Sequence, residues 1–361
     1  MKRTKSRLIP YSRGENREKI SDSLGKYGRI AGRLLLVSMF VVSAGCSINK
    51  LATDALTDML GGQGGGADVF LSDEDPELIG DALPLALKLF EALLASTPEN
   101  VDLLQTTGSG FISYANAFIQ TPASMLPEEQ YKEKNRQNAR AKKMYLRGRD
   151  YVLQAIEVKY PGFLELMEEQ RFEEALAPMQ PEDTGLLYWA GAGWAAAIAV
   201  DVFDTNLTVT SSSAIALMAK ALELDETYGA GSIHDFFIAI YASIPENMMF
   251  RSPMKFPDDA MRRLFEEYYD RMGVDAQTGM DKAKFHFERA VELAGDIKAG
   301  PYVSYATSIA IKEGDHEAFI RYLETALAVD VGKSPENRMV NVLAQQKARW
   351  LLDHIDDFFL F

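Results

Sequence analysis

The chain has almost no cysteine: one among 361 residues, Cys46. That excludes an internal disulfide and any metal site built from several thiolates. Histidine is nearly as scarce. His234, His286, His316 and His354 are scattered, and none stands in the spacing of a zinc-binding helix. No Gly-x-Ser-x-Gly elbow occurs. With neither a nucleophile motif nor a metal motif, no enzyme activity and no cofactor are expected. Strand signals are also lacking. The best candidate, Leu207-Thr208-Val209-Thr210, is short and runs into a Ser-rich helix start at Ser211-Ser212-Ser213. Positive charge is in deficit overall, with a net charge of -14. A nucleic-acid partner needs a basic face and is therefore not expected.

What basic charge there is sits at the front. Residues 1–33 hold ten Lys/Arg against three acids, a net +7, so the rest of the chain carries -21 of the total -14. An uncharged run, Leu34 to Gly45, follows. It is too short to span a bilayer, which takes about 20 apolar residues. It has the length of a signal-peptide core, roughly 7–15 residues. Ser43-Ala44-Gly45-Cys46 ends it in the manner of a bacterial lipobox. The expectation is a leader over 1–45 and a lipid on Cys46, anchoring the mature chain to a membrane. Ser47, in place of an inner-membrane-retaining Asp, leans towards the outer membrane. Gly61-Gly62-Gln63-Gly64-Gly65-Gly66 lacks the Lys-Ser/Thr ending of a phosphate loop. It reads as a flexible spacer, so 46–71 is a lipidated tether.

From Ser72 to the end, helix signals dominate, and 72–361 is expected to form one all-α domain. Asp75-Pro76-Glu77, Thr97-Pro98-Glu99 and Ser334-Pro335-Glu336 each place a cap, a first-turn proline and an acid in order. Hydrophobic residues make up 47% of the chain, enough for a sizeable core. A related block closes several helices: Ala155-Ile156-Glu157-Val158, Ala221-Leu222-Glu223-Leu224, Ala290-Val291-Glu292-Leu293 and Ala326-Leu327-Ala328-Val329. Alanine- and aromatic-rich helices alternate with them over 111–119, 186–200, 236–244 and 302–311. Ser113-Tyr114-Ala115 and Ser304-Tyr305-Ala306 are locally alike. The block spacings of 66, 69 and 36 residues lie near two, two and one lengths of the 34-residue tetratricopeptide unit. This predicts a degenerate stack of helical hairpins, with an irregular bundle as the alternative and Pro245–Pro257 as an insertion.

Four places invite a functional reading beside a structural one. Tyr188-Trp189-Ala190-Gly191-Ala192-Gly193-Trp194 sets bulky rings beside small residues, which serves interhelical packing or an aromatic-lined ligand channel. Asn116, in an apolar helix beside Tyr114, bonds a backbone carbonyl or presents its amide to a ligand. Met248-Met249-Phe250 with Met254 is a Met-rich loop, fit for adaptable apolar contacts, an oligomer contact or plain burial. His234-Asp235 reads as an acid–base pair or, more simply, as a surface or capping pair.

The order of several segments resembles the TatT component family of tripartite ATP-independent periplasmic (TRAP) transporters. They are Tyr114-Ala115-Asn116-Ala117-Phe118, Met144-Tyr145-Leu146-Arg147-Gly148-Arg149-Asp150, Leu187-Tyr188-Trp189 with Trp194, Ala221-Leu222-Glu223-Leu224-Asp225-Glu226-Thr227-Tyr228, Ala283-Lys284-Phe285-His286-Phe287-Glu288-Arg289-Ala290, and Asn341 through Leu352. The resemblance runs from about residue 75 to the end. It implies a periplasmic lipoprotein with tetratricopeptide-like helices, a homotrimer, and association with the extracytoplasmic solute-binding subunit. It also implies a pore or cleft through each protomer suited to a hydrophobic ligand. From residue type and helical placement, Tyr114, Asn116, Tyr188, Trp189 and Trp194 are the candidate lining for a small apolar or carboxylate ligand. The alternative is a helical scaffold that organises envelope proteins without handling a ligand.

Overall fold

The computed structural model describes residues 70–243, 259–275 and 278–359. Cys46, the leader, the Gly-rich spacer and the Met-rich loop all lie outside the described residues. Among the described residues every regular element is a helix.

The first helix, α1 (Pro76–Leu94), begins as its sequence dictates. Asp75 accepts from the backbone N–H groups of Glu77 and Leu78, and Pro76 occupies the first turn. The second start falls three residues later than Thr97-Pro98-Glu99 suggests. The Thr97 hydroxyl turns back to the Leu93 carbonyl and finishes α1, while Asn100 caps α2 (Val101–Ala115) by accepting from Leu103 N–H. Ser334-Pro335-Glu336 likewise opens a 3₁₀ turn, Pro335–Asn337, ahead of the last long helix.

Four helical hairpins follow. α2 packs on α3 (Tyr131–Lys159), α6 (Thr184–Ala199) on α8 (Ser211–Leu224), α9 (Tyr228–Ser243) on α11 (Gly279–Ala294), and α12 (Gly300–Tyr305) on α13 (His316–Ala328). Short helices α4 (Phe163–Glu168) and α5 (Phe172–Leu176) are inserted after α3. α7 (Thr205–Thr208) precedes α8, and α10 (Asp259–Met272) precedes α11. α14 (Arg338–Asp353) covers α13 and also reaches α1, where Arg338 donates to the Ser72 carbonyl. The two ends of the stack therefore meet.

The repeated blocks close the second helix of each hairpin, and Ala155, Ala221, Ala290 and Ala326 are all fully buried. A larger side chain there would hold the paired helices apart. The tightest crossing lies between α2 and α3. A Cβ on Gly108 would stand 2.6 Å from the Gly148 carbonyl oxygen, and one on Gly148 would stand 2.5 Å from that of Gly108.

The two Ser-Tyr-Ala triplets share a structural consequence. Each leads into a π-helical turn, Asn116–Gln120 after α2 and Ala306–Ala310 after α12. Such turns widen the helix by one residue locally and re-aim the side chains beyond them. The strand candidate at Leu207 is helical instead. Asp204 caps α7, and the stretch Thr205–Leu224 is long and apolar because it is a core helix, 61% buried over its most apolar window.

Candidate functional site

Among the described residues a half-open void and a buried polar cluster stand out. The void lies where the α4 insertion meets the second hairpin. Glu157, near the end of α3, accepts from the backbone N–H groups of Gly162 and Leu164. Gly162 itself is left-handed, with φ 92°, which lets the chain turn sharply into α4. Gln170, at φ 59°, turns it again after α4. The short helix thus arches over a cavity of about 240 Å³ lined by Leu153, Leu164, Met167, Glu168, Gln170, Trp194, Thr210 and Ser213. Trp194 is held firmly there. Its indole N–H donates to the Thr210 hydroxyl at 2.8 Å, and that hydroxyl donates to the Leu207 carbonyl at 2.6 Å. The Arg149 guanidinium lies 4.6 Å from the ring centre. An apolar wall with a few polar groups at fixed positions is the chemistry of a small-molecule pocket.

Of the five residues expected to line one channel, only Trp194 lines this cavity. Trp189 and Tyr188 meet edge to face at 5.2 Å, and Tyr188 packs at the same distance on Tyr228. Tyr114 stacks on Phe118 and accepts from Arg140 at 3.2 Å. Asn116 is exposed rather than buried in an apolar helix, because the π-turn starts at that residue. Its side chain bonds the Tyr145 phenol, which also donates to Gln120.

The polar cluster was not legible from spacing. His234 and His286, 52 positions apart, meet in the third hairpin with their Nδ1 atoms 2.8 Å apart. Both are fully buried, so His234 is not the surface or capping residue its neighbourhood suggests. Gly231 sets this approach: at φ 83° it lets α9 pass so close to α11 that a Cβ would lie 3.2 Å from Ala290 Cα. The Tyr269 hydroxyl lies 2.9 Å from His286 Nε2, and His234 Nε2 lies 3.8 Å from Glu226. One proton order suits all of these groups. Tyr269 donates to His286, His286 Nδ1–H donates to His234, and the buried His234 Nε2–H, which has no hydrogen-bond partner, lies on the side of the carboxylate. The reverse order would set a bare nitrogen lone pair against an anion.

Burial holds His234 down to about 4, with Glu226 opposing and Arg289 adding to the effect. Burial also holds His286 well below the usual imidazole range. Neither is charged at neutral pH. Next along α9, Asp235 is pushed up to about 6 by burial, against the pull of Lys298, and its Oδ1 has no hydrogen-bond partner. Burial lowers the Lys298 ammonium, which bonds the Gly229 carbonyl at 2.7 Å and the Ser232 hydroxyl at 2.8 Å. No group of acids, histidines and cysteines suited to a metal ion is found among the described residues. The sequence signal for this cluster was present but weak: a histidine at a core-facing phase in each of two apolar helices.

Paired helices stacked in series make this an all-α, tetratricopeptide-like repeat architecture. The family model described as the TRAP transporter T-component matches residues 72–249 and 255–359. The chain belongs to that family, and so to a component of a membrane transport system of the cell envelope. It is also 32% identical to a protein of Treponema pallidum (strain Nichols) described as uncharacterized, over 89% of this chain and 95% of that one.

Proposed function

We propose that the protein is a lipid-anchored accessory subunit of a TRAP system on the periplasmic face of a bacterial membrane, assembling as a trimer. In this reading it binds the extracytoplasmic solute-binding subunit and accepts a small apolar ligand in the Trp194 cavity. The family match across nearly the whole helical domain carries the transport role. The cavity supports the ligand role. A volume of about 240 Å³ exceeds the roughly 150 Å³ engineered cavity that takes up benzene. Among the lining residues only Glu168 is charged, so an apolar or neutral molecule fits better than a carboxylate. The anchor rests on the Ser43-Ala44-Gly45-Cys46 sequence.

Native mass spectrometry of the full chain tests the ligand. The expected result is a retained small molecule that is lost in Ser213→Leu, which fills the cavity. Retention of the same molecule by Ser213→Leu, with the fold intact, would rule out this cavity as its site.

A further inference from the structure

The outer face of α1 carries a seam that nothing in the described chain covers. Ile79, Leu87, Phe90 and Leu94 pack inward. On the opposite side Leu78 is 57% exposed, Leu85 66% and Leu89 53%, with exposed Ala82 and Ala92 between them. The order 78, 82, 85, 89, 92 alternates steps of four and three. That is the 3.5-residue period of a helix built to meet another helix. A solvated helix face has no reason to keep this spacing in leucine and alanine.

We infer that this seam pairs with the same seam of a second copy, antiparallel, about a two-fold axis at Leu85. Two features select that occupant and that direction. The first is size. Antiparallel pairing about Leu85 sets Leu78 against Ala92 of the other copy and Ala82 against Leu89, so each large residue meets a small one. A parallel pairing would stack Leu on Leu and Ala on Ala, leaving gaps at every alanine. The second is charge. Asp81 and Lys88 lie on one flank of the seam, at positions that face each other only in the antiparallel arrangement, where each Asp81 meets a Lys88. In a parallel pair each would face the opposite flank, which is occupied by inward-packed Ile79 and by Ala86. Lys88 can turn from its internal partner Glu91 to make the contact. It is 63% exposed, and Glu91 is also bound by Arg147 and by Tyr151. Asp81 is exposed.

A seam this short buries less than the roughly 1,200 Å² typical of lasting complexes, so the contact is concentration-dependent. Isologous pairing of one helix is compatible with a separate three-fold contact elsewhere, in which case it would link one trimer to another. It stands apart from the solute-binding role, and either can fail alone.

Single cysteines introduced into the full chain test it, with disulfide-linked peptides mapped by mass spectrometry so that Cys46 is told apart. Leu85→Cys should link to itself. Leu78→Cys should not, but it should link to Ala92→Cys when the two variants are co-expressed. In the Leu85→Cys background, Asp81→Lys should cut the linked fraction severalfold, and adding Lys88→Glu should restore it. A self-link at Leu78→Cys, a Leu85→Cys link to another protein in place of itself, or no recovery in the charge swap would overturn the proposal.

Discussion

Around Trp194 the fold leaves a half-open pocket of about 240 Å³. The corresponding interior of the third hairpin, around His286, is filled by the rings of Phe237, Tyr241, Tyr268, Tyr269 and Phe285. Both regions arise from one repeat: an alanine- and aromatic-rich helix laid on a helix ending in the Ala block. The difference comes from the insertions. After α3 the chain adds α4, which bridges over the hairpin through left-handed Gly162 and Gln170 and leaves a void beneath. Before α11 it adds α10, which supplies Tyr268 and Tyr269 and plugs the space. In a degenerate repeat the hairpins set the frame, and the insertions decide which interior is hollow and which is solid.

The comparison breaks first at the solid end. His286→Ala removes a buried ring, leaves His234 Nδ1 without its partner and breaks the Tyr269 hydroxyl's bond to the imidazole. It should cost about 3–5 kcal/mol in denaturant unfolding. A cost below about 1 kcal/mol would mean that the ring packing is loose.

The pH response of the same region is the next test, because its two histidines and Asp235 pull in opposite directions. His234 has a folded pKa of about 4, below its unfolded value of 6.5. Its contribution is full above pH 6.5 and is lost as the pH falls towards 4. Between pH 7 and pH 5 that loss is about 2 kcal/mol. Asp235 has a folded pKa of about 6, above its unfolded value of 3.8. Its neutral form favours the fold below pH 3.8, and that advantage is lost as the pH rises through 6. From pH 7 to pH 5 it returns about 1 kcal/mol, against the loss from His234 and the further loss from His286, which burial also holds well below the usual imidazole range. In Asp235→Asn the offset is gone. This variant should be more stable than the parent at pH 7 by about 1–2 kcal/mol, and between pH 7 and pH 5 it should lose about 1 kcal/mol more than the parent loses. Urea titrations at the two pH values read both numbers. A variant with no steeper acid loss than the parent would contradict the assignment.

The hollow end should respond least in stability. Ser213→Leu places a larger apolar group into existing space, and the expected change is within about 1 kcal/mol. A loss above about 3 kcal/mol would mean that the cavity wall cannot accept a side chain.

Much of this frame could be read in the sequence. The four Ala blocks mark the buried ends of four helices because each depends on local periodicity alone. The two Ser-Tyr-Ala triplets both mark helices that break into π-turns. What stayed hidden depends on long-range approach. His234 and His286 meet only because Gly231 takes a left-handed conformation beside Ala290, and nothing in their 52-residue spacing encodes that. Tyr188, Trp189 and Trp194 share α6, but the cavity takes Trp194 alone. Helical phase separates residues that adjacency in sequence suggests will act together.

The most direct test of the transport role is capture of the partner in place. The full chain is crosslinked in intact cells and purified through a C-terminal tag, and the attached proteins are identified. The account predicts the extracytoplasmic solute-binding subunit of a TRAP system, recovered in fixed ratio to the bait. Crosslinks that reach other envelope proteins but never that subunit, in cells that express it, would contradict the account and leave a helical scaffold in its place.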